Sequence, residues 1–291
     1  MYDFVKYEAQ GNDYLVVDPS QASMPITSRT VRELCNRRQG IGADGVIFGP
    51  FIDRDTIRLQ IFNSDGSECG RSGNGLRIFA HYLLDQGYLS STEFSLRTVA
   101  GENRLKVIDF DAGIFTVELG PFTFDSEHVP ATGPRREIID EQLRVGEEVF
   151  RVSCVNNGNP HCVIFDSEAS QERVSRIGPL VSNSPLLPEG ANVQLVQVLD
   201  RKHLYAQIWE RGSGYTLASG SSACAIACVA HRLGYVDAEV TVRMPGGDVS
   251  VLHSSDTLFL TANVCKVAEG TLAPSFKRQL LSNAGNIHVS I

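Results

Sequence analysis

No stretch of this chain is apolar for long enough to cross a membrane. The longest plainly apolar run, residues 223–230, has eight members, less than half of a bilayer span. The first ten residues carry scattered charges and lack the apolar core that a secretory leader needs. Lys/Arg-rich runs are missing too, and the formal net charge is −8, which argues against nonspecific nucleic-acid binding. The seven cysteines form no CxxC pair, and no Cys/His cluster has zinc spacing, so neither a disulfide framework nor a metal site is expected. Their odd number fits reduced thiols in a cytoplasm. Phosphate loops and dinucleotide fingerprints are also missing, so no organic cofactor is expected. What remains is a partner of small-molecule type, with no nucleic acid and no membrane.

At 291 residues, 42% hydrophobic and 21% charged, the chain exceeds the usual single-domain length and has apolar material for two cores. It also repeats. Gly11-Asn12 recurs as Gly158-Asn159, Ser72-Gly73 as Ser219-Gly220, and Gly87-Tyr88 as Gly234-Tyr235. Each pair is separated by 147 residues (158 − 11, 219 − 72, 234 − 87). One shared dipeptide would be noise. Three in one register, at a period too long for a solenoid, indicate two tandem copies of one domain.

Local patterns follow the same offset. Thr56–Asn63 (TIRLQIFN) and His203–Glu210 (HLYAQIWE) alternate as strands do. A Gly/Ser/Asp-containing loop follows each. Next come Ser72-Gly-Asn-Gly before LRIFAHYLLDQGY and Ser219-Gly-Ser-Ser before ACAIACVAHRLGY. Both segments are apolar or small around most of their circumference, as buried helices are. Gly87 and Gly234 stand where a C-terminal stop belongs. The expected fold is α/β (α+β): two pseudo-symmetric lobes, each a mixed sheet wrapped around a central buried helix. Smaller helices are expected at residues 29–38 and 171–177, on the outside of each lobe. A boundary near Gly120-Pro121, after a strand at 113–119, gives lobes at 1–120 and 121–267. Residues 125–146 read as a polar surface excursion. The stretch 270–291 is weakly patterned, and the sequence leaves open whether 268–291 completes the first lobe.

Ser72 and Ser219 each precede a buried helix at equivalent places. Serine before a helix is a favoured N-cap and needs no chemistry. A helix start is also an anion site, because its first N–H groups lack partners and carry partial positive charge. A carboxylate between the two starts could accept from Gly73, Asn74, Gly220 and Ser221. The α-carbon of a bound amino acid would then lie between Ser72 and Ser219, which suits removal of a proton from one face and its return to the other. Donors preset for developing negative charge are a major source of rate enhancement.

At these residues the sequence resembles the diaminopimelate epimerase family, cofactor-independent enzymes that interconvert LL- and meso-diaminopimelate. The resemblance runs from about Val5 to Glu269. It is carried in order by Gln10-Gly-Asn-Asp-Tyr-Leu-Val-Val-Asp18, Gly40-Ile-Gly-Ala-Asp-Gly45, Asn63-Ser-Asp-Gly-Ser-Glu68 and Gly73-Asn-Gly-Leu-Arg77. The second copy adds Gly158-Asn-Pro-His161, Glu210-Arg-Gly-Ser-Gly214 and Gly220-Ser-Ser-Ala223. It implies an active site in the cleft between two similar lobes. It implies that Asn12, Asn63, Asn159 and Asn192 hold the amino acid, and that Gly73, Asn74, Gly220 and Ser221 donate to its reacting end. Arg211 would grip the distal carboxylate, a role for which a guanidinium is well shaped. His161 and Glu210 would stand beside the catalytic pair and assist it, although a histidine after proline also serves as a turn residue and a Glu-Arg pair as solvated charge. Lysine and cell-wall precursor synthesis, and often a homodimer, come with the family.

One departure matters for chemistry. The family has cysteine where this chain has Ser72 and Ser219. A free thiol titrates near about 8.5 and lower at a helix N-terminus, so one thiolate can abstract a proton while the opposite thiol donates one. A serine hydroxyl offers almost no anion at neutral pH without a strong base beside it. Three readings stay open: an epimerase made inactive or trapped as a Cys-to-Ser double variant, a racemase of another amino acid such as histidine with His161 or Glu210 as base, or a silent amino-acid-binding paralogue. Cys69 precedes the helix start and is expected away from the cleft centre. Cys224 and Cys228, at i and i+4, are expected as small buried hydrophobes. Tyr215 stands where the family usually has glutamate, and Gly45 where some members carry glutamine.

Overall fold

A hairpin of β1 (Phe4–Ala9) and β2 (Asn12–Val17) opens the chain. Its turn holds Gln10 at φ 52° and Gly11 at φ 80°, the doubly positive pair that matches the twist of the flanking strands. Then come α1 (Ser28–Cys35), β3 (Gly45–Asp53), β4 (Thr56–Asn63), the short β5 (Glu68–Cys69), α2 (Gly73–Asp85), β6 (Glu93–Thr98), β7 (Gly101–Asp109) and β8 (Ile114–Pro121). The chain continues with β9 (Glu141–Val145), β10 (Glu148–Asn156), β11 (Pro160–Phe165), α3 (Gln171–Ser182), β12 (Asn192–Val198), β13 (His203–Glu210) and β14 (Gly214–Thr216). It ends with α4 (Gly220–Arg232), β15 (Glu239–Met244), β16 (Gly247–Ser254), β17 (Thr257–Asn263), β18 (Cys265–Gly270) and α5 (Pro274–Ala284). This computed structural model describes residues 2–22 and 24–284.

The elements fall into two units, Met1–Val117 with Asn263–Ile291, and Glu118–Ala262. In the first, the strand order is β18-β1-β2-β3-β4-β6-β7-β8, with β2/β3 and β4/β6 parallel and the other pairs antiparallel. In the second it is β9-β10-β11-β12-β13-β15-β16-β17, with β11/β12 and β13/β15 parallel. Parallel neighbours need a long crossover. Here α1 and α3 make the first crossover of each unit, and α2 and α4 the second. The offset of 147 carries β4 onto β13 (56 + 147 = 203) and α2 onto α4 (73 + 147 = 220), residue for residue. The mixed α+β architecture is therefore one plan used twice.

The central helices are buried as their composition requires. Leu76, Ile78, Phe79, Ala80, Tyr82 and Leu83 of α2 are all buried, as is every residue of α4 from Ser222 to Ala230. Alanine and cysteine on α4 let β10, β11, β12, β15 and β16 pack against one helix. Each fully buried Leu or Ile contributes about 1.5–3 kcal/mol.

Several boundaries differ from the sequence reading. Helix α1 stops at Cys35 rather than 38, because the Asn36 side chain accepts from the N–H groups of Arg38 and Gln39 and so offers the backbone an alternative to another helical turn. Helix α3 runs past 177 to Ser182, with Pro179 in its last turn. Residues 125–146 are not wholly a surface excursion: Val129, Ile138 and Leu143 enter the second core, and β9 pairs with β10. Strand β8 continues past Val117 to Pro121, so the units divide inside a strand rather than at the Gly120-Pro121 turn. Near the C-terminus, β18 pairs with β1, and Leu272 and Leu280 join Val31 and Leu34 in the first core. Residues 285–291 of the weakly patterned tail lie outside the described residues.

Candidate active site

Two helix starts carry the polar chemistry, one in each unit. In the first, Ser72 is the N-cap of α2, and its Oγ accepts from Gly75 N at 3.1 Å. The Tyr14 hydroxyl on β2 donates to the same oxygen at 3.4 Å. Asn74 on the first turn donates to Asn12 Oδ1 at 3.3 Å and accepts from the buried Arg77 at 2.8 Å. Arg77 also donates to Gln10 Oε1 at 2.6 Å, and Asn12 donates to Asp44 at 2.9 Å. Asn63, at the end of β4, donates to Ser67 Oγ at 3.0 Å across a tight turn. Gly66 makes that turn with φ 83°, and a Cβ there would sit 2.2 Å from the Ser28 carbonyl oxygen, so only glycine fits. Behind Asn12, Asp13 is pushed up by burial, but hydrogen bonds from Arg37 and Lys6 prevail and hold it down at about 2.

The second start looks equivalent and behaves differently. Ser219 is the N-cap of α4 but makes no side-chain cap bond. Its hydroxyl lies 3.4 Å from Ser221 Oγ. Burial pushes the Glu210 carboxyl above the usual range, and the nearby Ser219 hydroxyl pulls it partly back. The unused cap leaves the first N–H groups of α4, including those of Gly220 and Ser221, as uncapped donors. His161 on β11 is wholly buried, between Asn159 Oδ1 at 2.9 Å and Gln194 Nε2 at 2.9 Å. Burial, helped by the nearby Arg211 guanidinium, holds its pKa down at about 3. Its surroundings thus favour the neutral, hydrogen-bonding ring. Asn192 accepts from Arg211 N at 2.9 Å, and its side-chain N–H groups are uncommitted among the described residues. The exposed Arg211 guanidinium rests on the Glu189 and Gly190 carbonyls and has no carboxylate partner among the described residues.

Sequence reasoning passed over Tyr14, Asp44, Arg77, Gln194 and Ser222. For Tyr14 a signal existed. The offset places Tyr14 on His161 (161 − 14 = 147) and Asn63 on Glu210 (210 − 63 = 147). The first start thus has phenol and amide where the second has imidazole and carboxyl. Cys69 donates to Arg71 O at 3.2 Å, while Cys224 and Cys228 are buried inside α4. Tyr215 donates to Gln207 at 3.0 Å. No three His, Cys, Asp or Glu side chains among the described residues converge as a metal site would require.

The same duplicated fold occurs in solved structures of low sequence identity. A phenazine biosynthesis protein of the PhzF family from Bacillus anthracis superposes with a TM-score of 0.68 at 15% identity, covering 94% of this chain and 99% of that one. A probable proline racemase from Agrobacterium radiobacter gives 0.67 at 13% identity, covering 94% and 93%. The chain belongs to the diaminopimelate epimerase family, whose model matches residues 4–124 and 153–267. Diaminopimelate epimerase 2 of Nostoc sp. is 43% identical over 275 residues, covering 93% of this chain and 95% of the relative. The diaminopimelate epimerase of Moorella thermoacetica is 36% identical over 273 residues, covering 92% and 98%.

Proposed function

We propose that this chain acts on diaminopimelate, moving the α-proton between faces at one end while Arg211 holds the distal carboxylate. The observation that carries the reading is the Ser219–Glu210 pair: a serine hydroxyl at an uncapped helix start, beside a carboxyl that burial makes more basic. A carboxyl near its own titration range can take and return a proton, which a serine hydroxyl alone cannot. Uncapped N–H groups of Gly220 and Ser221 supply donors for the reacting carboxylate, as Gly73 and Asn74 do at the first start. On this reading Asn12 and Asn63 of the first unit and Asn159 and Asn192 of the second are the amides that hold the substrate, and His161 steadies Asn159. At the first start Ser72 is engaged as a cap and has a phenol, not a carboxyl, beside it. The two starts are thus unequal. On this reading Glu210 works one face, and turnover of the present chain lies orders of magnitude below that of a cysteine pair.

Two-base α-proton transfer needs no organic cofactor. The reading places the chain in lysine and cell-wall precursor synthesis, in the cytoplasm, as a homodimer. The test is α-proton exchange in deuterium oxide, followed by NMR with LL-diaminopimelate, for the chain and for a Ser72→Cys, Ser219→Cys double variant. We expect slow exchange by the chain and full epimerisation by the double variant. Exchange by neither would make the chain a binding protein or assign it another amino acid.

A further inference from the structure

We infer that Gln194 fixes the hydrogen-bonding polarity of Asn159 toward substrate, acting through the ring of His161. The inference rests on the function proposed above and names the residue that decides what one substrate contact recognises. Gln194 lies on β12, one strand over from His161, and is wholly buried. Its Nε2 is 2.9 Å from His161 Nδ1 and 3.0 Å from Ser222 Oγ. An amide nitrogen carries two hydrogens, and both are placed. The Oε1 atom has no partner. Turning the amide round would strand two N–H donors instead of one acceptor, and buried orphan donors are the rarer and costlier kind. The amide nitrogen therefore faces the ring.

The ring's protonation follows. Nδ1 accepts from Gln194, so the single proton of the neutral imidazole sits on Nε2, 2.9 Å from Asn159 Oδ1. With its oxygen occupied, Asn159 keeps both Nδ2 hydrogens uncommitted among the described residues. It is a donor, suited to a carboxylate. In the opposite tautomer Asn159 would turn Nδ2 toward the ring and offer its oxygen, which suits an ammonium group. Ser222, on the first turn of α4, ties the same glutamine to the helix start. The first unit has no such device, because the equivalent position is the buried, apolar Ile47 (194 − 147).

The test begins with the wild-type chain labelled with 15N-histidine, His161 being assigned by its loss in His161→Gln. Nitrogen NMR should show protonated Nε2 and bare Nδ1 throughout the pH range 5–8. Protonated Nδ1 would overturn the inference whatever the chain binds. In Gln194→Glu the carboxylate accepts from the ring, so Nδ1 should become protonated. Calorimetry then compares diaminopimelate with its mono-carboxamide. Wild type should prefer the carboxylate, and Gln194→Glu should bind diaminopimelate roughly 10–100-fold more weakly with the preference narrowed. Loss of affinity for both compounds in equal proportion would mean that Gln194 is only structural. A wild-type chain that bound neither compound, with the ring as expected, would overturn the proposed function and with it the role of Asn159.

Discussion

Replacing Ser72 and Ser219 by alanine, one at a time, should separate two positions that the duplication makes equivalent. Ser72 Oγ accepts from Gly75 N at 3.1 Å, and loss of a serine cap costs about 1 kcal/mol. For a unit of this size that lowers the melting temperature by about 2–4 °C. The bond is between neutral groups, so the loss should be the same at every pH. Ser219 makes no cap bond, and alanine there removes only the hydroxyl that stabilises ionised Glu210. Below the ordinary carboxyl value of 4.5, Glu210 is protonated in folded and unfolded chains alike, so the substitution should be nearly silent. As pH rises through the folded value the carboxylate forms without its donor, and a loss of about 1 kcal/mol should develop. Scanning calorimetry of both variants against wild type at pH 4 and pH 8 gives the answer. Equal offsets for the two variants at both pH values, or a pH-dependent offset at Ser72, would refute the asymmetry.

Other expectations follow from the same groups. Glu210→Gln should abolish proton exchange by at least about 100-fold. Because burial raises the folded carboxyl above 4.5, Glu210 loses stability as pH rises through its folded value, so the glutamine variant should be more stable than wild type at pH 8 and equal at pH 4 by urea titration. His161 runs the other way: its folded value of about 3 lies below the ordinary imidazole value of 6.5, so the unfolded chain binds the extra proton. Stability should fall by about 1.4 kcal/mol per pH unit on acidification below 6.5, and His161→Asn should flatten that limb in denaturant midpoints measured at pH 7, 6 and 5. Arg211→Ala should weaken diaminopimelate binding by about 100-fold or more with little change in melting temperature. Arg211→Lys should recover only part, because an ammonium lacks the planar fork.

Much of the fold was readable from periodicity. The alternation in Thr56–Asn63 and His203–Glu210 predicts both strands at their observed ends, and the all-round apolar character of α2 and α4 predicts their burial. The end of α1 was not readable, because Asn36 competes through its side chain rather than through propensity. Nor was the inward turn of Val129, Ile138 and Leu143, whose apolar side chains are scattered among polar neighbours. Within the site, Ser72 and Ser219 look identical in sequence, yet only the first caps its helix. The difference depends on where Glu210 lies, which is tertiary information. Gln194 sits in a strand that also carries Asn192 and Gln197, and it shows its partners only once β11 and β12 are paired in register.

Strand β18 has a consequence for the order in which the chain is made. Its partner β1 lies at the opposite end of the sequence, and the 145 residues of the second unit (118 to 262) come between the two parts of the first. At about 5–20 residues per second, a ribosome needs roughly 7–30 s to pass through that insert. The second unit is one continuous segment and can close as soon as it emerges. The first waits with β1 as an unpaired edge, the kind of surface that recruits foreign strands, until residues 265–270 arrive to cover it.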